Sequence, residues 1–119
     1  MKIQESAEDY LEQILVLLET KGYARSTDIA DGLDVTKPSV SVAMKKLRQN
    51  GYIRMDSNSL ITLTEQGSAI ANRIYNRHKA LTKFFISIGV SEENARKDAC
   101  RVEHDISEET FAAIQRQIQ

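Results

Sequence analysis

The spacing of the apolar residues is helical on both sides of one short interruption, which follows Gly51. Within the interruption, the runs YIRM (52–55) and LITL (60–63) flank the turn-forming tetrapeptide DSNS. Two such runs predict a small β-hairpin, whereas apolar residues at intervals of three and four predict amphipathic helices. The chain is therefore restricted to a mainly α fold that carries one hairpin.

Three helices are predicted before the hairpin. The first spans residues 6–21, with Ser6 as its N-cap, and a short second helix is capped by Ser26. The third follows Pro38, a residue that the first turn of a helix tolerates, and runs to about residue 50. Its buried face comprises Val40, Ala43, Met44 and Leu47. Helix, short helix, tight connection, helix and hairpin together predict a winged helix-turn-helix.

Three more helices are predicted after the hairpin. A long helix begins at Thr64, and its apolar stripe comprises Ile70, Ile74, Leu81, Phe85 and Ile88. The fifth helix is capped by Ser91 and extends to about Asp105. The sixth is capped by Ser107 and continues at Gln119.

The net charge of −1 conceals a basic block. Residues 21–54 contain seven basic and three acidic side chains, and residues 35–55 contain five bases and no acid. A helix with small polar side chains in its first half lets the backbone approach base edges in the major groove, while its cations meet phosphates. We predict contacts with double-stranded DNA from Arg25, Ser26, Thr36, Lys37, Ser39, Ser41, Lys45 and Arg48. The hairpin tip carries no Arg or Lys, so the wing is expected to bind weakly.

Other protein classes are disfavoured by the same sequence. A single cysteine cannot form an internal disulfide, and no apolar run approaches the roughly 20 residues that cross a bilayer. The N-terminus is acidic and lacks the apolar core of a signal peptide. These features predict a cytoplasmic protein.

A second set of residues has the chemistry of metal ligands. Cys100, Glu103 and His104 are spaced i, i+3, i+4, which predicts one face of the fifth helix. Thiolate, carboxylate and imidazole together form a transition-metal donor set. The long helix adds a histidine on its apolar stripe, and the first helix adds two carboxylates at i, i+3. The candidate ligands are Asp9, Glu12, His78, Cys100, Glu103 and His104.

Each candidate also has a simpler interpretation. The two acids of the first helix are typical of surface carboxylates near a helix N-terminus. His78 alone is typical of a hydrogen-bonded core histidine, and Cys100 alone of a small buried apolar residue. Only the combination favours a metal site.

The chain also resembles a known family. The runs that carry the resemblance are EDYLEQI (8–14), KGYAR (21–25), DIA (28–30), PSV (38–40), LTEQG (63–67), RH (77–78) and CRVEH (100–104). They are similar to the diphtheria toxin repressor family of metal-dependent transcriptional repressors, in particular its short manganese-transport-regulator branch.

The resemblance implies a repressor of metal-uptake genes, a homodimer that binds a palindromic operator when Mn²⁺ or Fe²⁺ is bound, with Zn²⁺ possible in vitro. It implies ligands at Asp9, Glu12, His78, Glu103 and His104. Cys100 matches the iron-sensing branch, since the manganese branch has a glutamate there. The implied domains are a DNA-binding domain over 1–63 and a helical metal-binding and dimerisation domain over 64–119.

Other functions stay open at this point. A metal-independent winged-helix regulator could respond to a small molecule or to oxidation of Cys100, and a winged-helix interaction module need not bind DNA. Cys100 and His104 could also form a nucleophile–base pair. However, no oxyanion donor or third partner accompanies them, so we predict that the chain is not an enzyme.

Overall fold

A computed structural model describes residues 5–118 and contains six helices and two strands within that range. In chain order they are α1 (Glu5–Thr20), α2 (Ser26–Leu33), α3 (Lys37–Gln49), β1 (Ile53–Met55), β2 (Ile61–Leu63), α4 (Glu65–Ser87), α5 (Glu92–Val102) and α6 (Glu108–Ile118). The order of elements is the predicted one. Within residues 5–118, no helix is both long enough and apolar enough to cross a membrane.

The chain forms two compact units, Met1–Asn72 and Arg73–Gln119, and the division falls within α4. The N-terminal unit therefore contains the predicted helix-turn-helix, the hairpin and the first turns of α4. The C-terminal unit contains the rest of α4 together with α5 and α6. The predicted boundary between residues 63 and 64 stays a prediction.

The core of the N-terminal unit draws side chains from every element before α4. Its fully or almost fully buried side chains, each at most 2% exposed, include Leu11 and Ile14 of α1, Ile29 of α2, Val40 of α3, and Ile53 and Ile61 of the hairpin. Burial of each such side chain contributes about 1.5–3 kcal/mol. The predicted buried face of α3 is confirmed at Val40, Met44 and Leu47, while Ala43 is half-buried.

Two of the predicted helix starts are wrong. Ser6 already lies inside α1, which includes Glu5. The residue that precedes α2 is Arg25 rather than Ser26, because the carbonyl of Arg25 accepts the first helical hydrogen bond, from Ile29 N at 3.1 Å. Among residues 5–118, the side chain of Arg25 makes no capping hydrogen bond with α2.

The start of α3 is well capped. Thr36 Oγ1 accepts a hydrogen bond from Ser39 N at 3.3 Å, and Pro38 lies in the first turn as predicted. A threonine cap satisfies one of the backbone donors that every helix start leaves without an intrahelical partner. The direction of α3 as it leaves the turn is thereby stabilised.

The predicted hairpin is confirmed. Ile53 pairs with Leu63 and Met55 with Ile61 in an antiparallel register. At the tip, Asp56 Oδ1 accepts hydrogen bonds from Asn58 N at 2.8 Å and Leu60 N at 3.0 Å. A side-chain carboxylate thus closes the turn, as is typical of aspartate at the start of a turn.

The base of the hairpin is closed by Thr64. Its Oγ1 donates to the carbonyl of Gly51 at 2.7 Å and accepts from Gly67 N at 3.1 Å, while its backbone N–H donates to the carbonyl of Tyr52 at 3.1 Å. A Cβ at Gly67 would collide with that Tyr52 carbonyl oxygen. Glycine is therefore required where the start of α4 crosses the hairpin base.

The C-terminal unit has its own small core, formed by Leu81, Ala99 and Phe111. The predicted caps of its two later helices are confirmed. Ser91 Oγ accepts from Asn94 N at 3.3 Å, and Ser107 Oγ accepts from Thr110 N at 3.1 Å.

Two predictions for this unit are wrong, and one lies outside the described residues. Helix α5 ends at Val102 rather than near Asp105. Ile88 is 62% exposed, because α4 ends at Ser87 and Gly89 takes a left-handed conformation with φ +105°. The predicted continuation of the last helix at Gln119 falls outside residues 5–118.

Candidate functional site

One side of α3 carries the predicted DNA contacts. The other side of α3 is buried in the N-terminal unit. The α3 side chains that are predicted to contact DNA are all exposed: Lys37, Ser39, Ser41, Lys45 and Arg48. No acidic residue lies on α3. The helix therefore presents a surface of hydroxyls and cations.

The remaining predicted contacts lie at the starts of α2 and α3. Arg25 is exposed, and its guanidinium carbon lies 5.6 Å from the ring centroid of Tyr23. Ser26 is half-buried. Thr36 is exposed, but its hydroxyl caps α3 and also donates to Ser39 Oγ at 2.8 Å. The structure therefore gives Thr36 a structural role besides any contact with DNA.

Val42 is a residue that the sequence analysis missed. It lies in the first half of α3 among the exposed polar residues, and it is 56% exposed. An exposed valine at this point offers an apolar contact for the methyl group of a thymine. The signal was present in the sequence, since residue 42 falls outside the buried positions 40, 44 and 47.

The C-terminal unit brings three of the predicted metal ligands together around Glu103. The Glu103 side chain is completely buried. Its Oε2 lies 2.9 Å from His78 Nδ1, and its Oε1 lies 3.5 Å from His104 Nε2. The His104 side chain is 2% exposed and that of His78 is 25% exposed. A carboxylate between two imidazoles is thus shielded from solvent.

The predicted arrangement on one face of a helix is wrong in detail. Glu103 is the C-cap of α5, and His104 lies in the turn that follows it, because α5 ends at Val102. Only Cys100 is within the helix. Cys100 is exposed, and its Sγ lies within 4.8 Å of a carboxylate oxygen of Glu103.

The donor set fits a divalent transition metal. Glu103 Oε1 is buried and has no hydrogen-bond partner within residues 5–118. A buried acceptor without a donor is rare in native proteins and is explained when an ion or water completes it. Two imidazoles, a carboxylate and a nearby thiol are ligands of the kind that Mn²⁺, Fe²⁺ and Zn²⁺ accept.

The other two predicted ligands lie in the N-terminal unit. Asp9 and Glu12 are half-buried and nearly one turn apart on α1. A carboxylate oxygen of Asp9 lies within 4.8 Å of one of Glu5, an acid that the sequence analysis did not single out. The first half of α1 is therefore a region of concentrated negative charge.

A winged helix-turn-helix with a cationic third helix and a buried histidine–carboxylate cluster define the class of metal-responsive DNA-binding regulators. Two family profiles match almost the whole chain. Residues 2–59 match the iron dependent repressor N-terminal DNA binding domain, and residues 64–119 match the iron dependent repressor metal binding and dimerisation domain. The chain belongs to the iron dependent repressor family.

Individual relatives agree with this assignment. The chain is 43% identical over 102 residues to the HTH-type transcriptional regulator MntR of Geobacillus kaustophilus, covering 86% of this chain and 72% of the relative. It is 41% identical, with the same coverage, to MntR of Bacillus subtilis.

Solved structures show the same fold. A crystal structure of T. acidophilum IdeR superimposes with a TM-score of 0.82 at 28% identity, covering 98% of this chain and 55% of that chain. A manganese-dependent transcriptional repressor in complex with manganese gives a TM-score of 0.85 at 25% identity, covering 94% of this chain and 52% of that chain. The chain thus spans about half the length of these structures.

The comparisons confirm the family resemblance and the mainly α winged-helix fold class with its dimerisation domain. They also confirm a metal-binding, DNA-binding regulator. The relatives are transcriptional regulators, which agrees with the prediction that the chain is not an enzyme.

Proposed function

We propose that the protein is a cytoplasmic transcriptional repressor that binds a palindromic operator as a homodimer when Mn²⁺ or Fe²⁺ is bound, and that it controls metal-uptake genes. The observation that carries the proposal is the buried Glu103 carboxylate, whose Oε1 has no hydrogen-bond partner within residues 5–118 and which lies between two imidazoles. That cluster lies in the part of the chain that matches a metal-binding domain.

The proposed ligands come from both units of the chain. His78, Glu103 and His104 form the cluster of the C-terminal unit, and Cys100 lies beside it. Asp9 and Glu12 are added because of the family resemblance and because carboxylates suit a divalent cation. A bound cation would supply positive charge that offsets the mutual repulsion of the Asp9 and Glu12 carboxylates on α1.

The choice of metal depends on Cys100. Carboxylates favour hard ions such as Mn²⁺, whereas a thiolate favours softer ions. One matching structure, 25% identical to this chain, is a manganese-dependent transcriptional repressor in complex with manganese. We propose Mn²⁺ or Fe²⁺ as the activating ion, with Cys100 raising the affinity for Fe²⁺, and we expect Zn²⁺ to bind in vitro.

We propose that α3 enters the major groove. The exposed hydroxyls of Ser39 and Ser41 and the side chain of Val42 would face base edges, while Lys45 and Arg48 would meet phosphates. In a homodimer the two recognition helices would read half-sites about one DNA turn apart, about 34 Å. A palindromic operator follows from that two-fold symmetry.

Metal binding and operator binding would then be thermodynamically linked. If the metal-bound protein favours the DNA-binding geometry, DNA must raise metal affinity by the same factor, typically worth about 1–3 kcal/mol. The side chains Asp9 and His104 make this linkage testable, because they belong to different units.

The test begins with a duplex selected from a randomised pool in the presence of Mn²⁺. Binding of the full chain to that duplex is measured by fluorescence anisotropy with and without Mn²⁺, and with Fe²⁺ under anaerobic conditions. Asp9→Ala and His104→Ala should each abolish the metal stimulation with little change in the circular dichroism spectrum. Asp98→Ala, which removes an exposed carboxylate of α5, is the control.

Two outcomes contradict the proposed function, and a third contradicts the proposed ligands. Equal affinity of the wild-type chain with and without metal would favour the metal-independent regulator. No selected duplex, and no dependence of DNA affinity on salt, would favour an interaction module. Metal stimulation that persists in both alanine variants would exclude these two residues as ligands.

A further inference from the structure

We propose that Arg77 is the positioning residue of the metal site. In this role it holds the turn between α5 and α6 so that Glu103 and His104 are ready to bind a metal before any metal arrives. The inference rests on the proposed metal site and concerns a residue that is not itself a ligand.

Arg77 lies within α4 and is 4% exposed. Its Nη1 donates to two backbone carbonyls of the α5–α6 turn, those of Glu103 and Ile106, each at 3.0 Å. Its Nη2 lies 2.6 Å from Oε1 of Glu108, the first residue of α6. The guanidinium thus contacts Glu103 and Ile106 within the turn and Glu108 at the start of α6.

The guanidinium is also seated in the core of the unit. Its central carbon lies 5.2 Å from the ring centroid of Phe111, one of the three core residues. Stacking on a ring and several hydrogen bonds in fixed directions both require the planar guanidinium group. Lysine keeps the charge but offers neither the plane nor the fork.

Arg77 contacts the main chain of Glu103, and its neighbour His78 contacts the Glu103 side chain. Arg77 hydrogen-bonds the backbone carbonyl of Glu103, and His78 Nδ1 contacts the Glu103 carboxylate at 2.9 Å. The position of the carboxylate is therefore fixed through its main chain as well as through its side chain. His104 is the next residue in the same turn, so its imidazole is placed by the same contacts.

Because the contacts of Arg77 already order this turn in the folded protein, less free energy is needed to order Glu103 and His104 when metal binds. Ligands with fixed geometry bind more tightly than mobile ligands, because the ordering has already occurred during folding. Partners of metal ligands commonly change metal affinity by about 10- to 100-fold when they are mutated. We expect an effect in that range for Arg77.

Co²⁺ is a suitable probe because its ligand-field absorption reports the number and geometry of its ligands. The full chain is titrated with Co²⁺ and followed by visible absorption, with competition by Mn²⁺. Arg77→Lys should raise the Kd for both ions by at least about tenfold and weaken the Co²⁺ absorption bands. Arg96→Lys makes the same substitution in an exposed ion pair of α5 and should leave both unchanged.

A purely structural role predicts a different pattern. It would lower the Tm of the metal-free and metal-loaded protein equally, so that the rise in Tm caused by metal stays as in the wild type. A positioning role makes that rise smaller, since stabilisation by a ligand depends on its Kd. Circular dichroism below the Tm checks that the helices are retained.

Glu108→Gln keeps the test decisive if Arg77→Lys fails to fold. It leaves both carbonyl hydrogen bonds in place and removes only the charge of the exposed partner, so we expect weaker Co²⁺ binding by about threefold. Wild-type Co²⁺ affinity and absorption in Arg77→Lys, or in Glu108→Gln if it is the only folded variant, would overturn the positioning role. Failure of the wild-type chain to bind Co²⁺ or Mn²⁺ would instead overturn the proposed metal site, and the positioning role with it.

Discussion

Removal of the Lys45 charge tests the proposed orientation of α3. Lys45 is exposed on the face opposite the buried Val40, Met44 and Leu47, so Lys45→Ala should leave the core unchanged. If each Lys45 neutralises one phosphate, its loss removes about 0.9 from the slope of log K against log salt, or about 1.8 for the two protomers of a dimer.

The same slope predicts a magnitude for the affinity. Extrapolated from 1 M to 0.1 M salt, one phosphate contact contributes about eightfold, so two contribute about 60-fold. Lys45→Ala should therefore bind about 60-fold more weakly at 0.1 M salt, while the two proteins converge near 1 M. Sequence preference among duplexes should be unchanged, because phosphate contacts do not read bases.

The assay is fluorescence anisotropy with metal-loaded protein at five or more salt concentrations. Lys97→Ala is the matched control, since it removes one exposed cation from α5 in the other unit. Equal slopes of log K against log salt for the wild type and Lys45→Ala would refute the assignment of Lys45 to a phosphate. An equal change of slope in Lys97→Ala would show that only net charge matters.

Three further predictions concern single side chains. Gly67→Ala should lower the free energy of unfolding by about 1–3 kcal/mol, because the new Cβ collides with the Tyr52 carbonyl oxygen. In the control Gly32→Ala, the new Cβ meets only the flexible end of Gln13. Equal urea midpoints for the two variants would contradict a destabilising collision at Gly67. Cys100→Glu should shift preference towards Mn²⁺ over Fe²⁺ in competition titrations, since a hard carboxylate replaces a soft thiolate, and an unaltered ranking would exclude Cys100 as a ligand. Val42→Ala should weaken binding to the selected duplex about tenfold per protomer, because about 1.5 kcal/mol of methyl contact is lost. The slope of log K against log salt should stay the same. A changed slope would contradict an apolar contact.

The sequence predicted the order of elements because each one carries a strong local signal. The buried face of α3 follows from the spacing of Val40, Met44 and Leu47, and the hairpin follows from the change of period after Gly51. Ser91 and Ser107 were correctly identified as caps, since each precedes a turn rich in acidic residues. Ser26 was misassigned because a serine at the first helical position looks the same in sequence as one at the N-cap.

The candidate metal ligands were predicted by residue type, but their arrangement was not. The end of α5 at Val102 has no glycine or proline to announce it. The carbonyls of Glu103 and Ile106 turn instead towards the guanidinium of Arg77, which lies 26 residues before Glu103 in the chain. A contact between residues so far apart in the sequence leaves no periodic pattern, so the sequence alone cannot reveal it.

The hairpin is secured independently at its two ends, by Thr64 at the base and by the Asp56 carboxylate at the tip. Between them, Ser57 is exposed. The tip of the wing can therefore acquire new residues during evolution, or in the laboratory, without disturbing α3. An arginine at position 57 would place a cation at the tip of the wing, which carries none between residues 56 and 59.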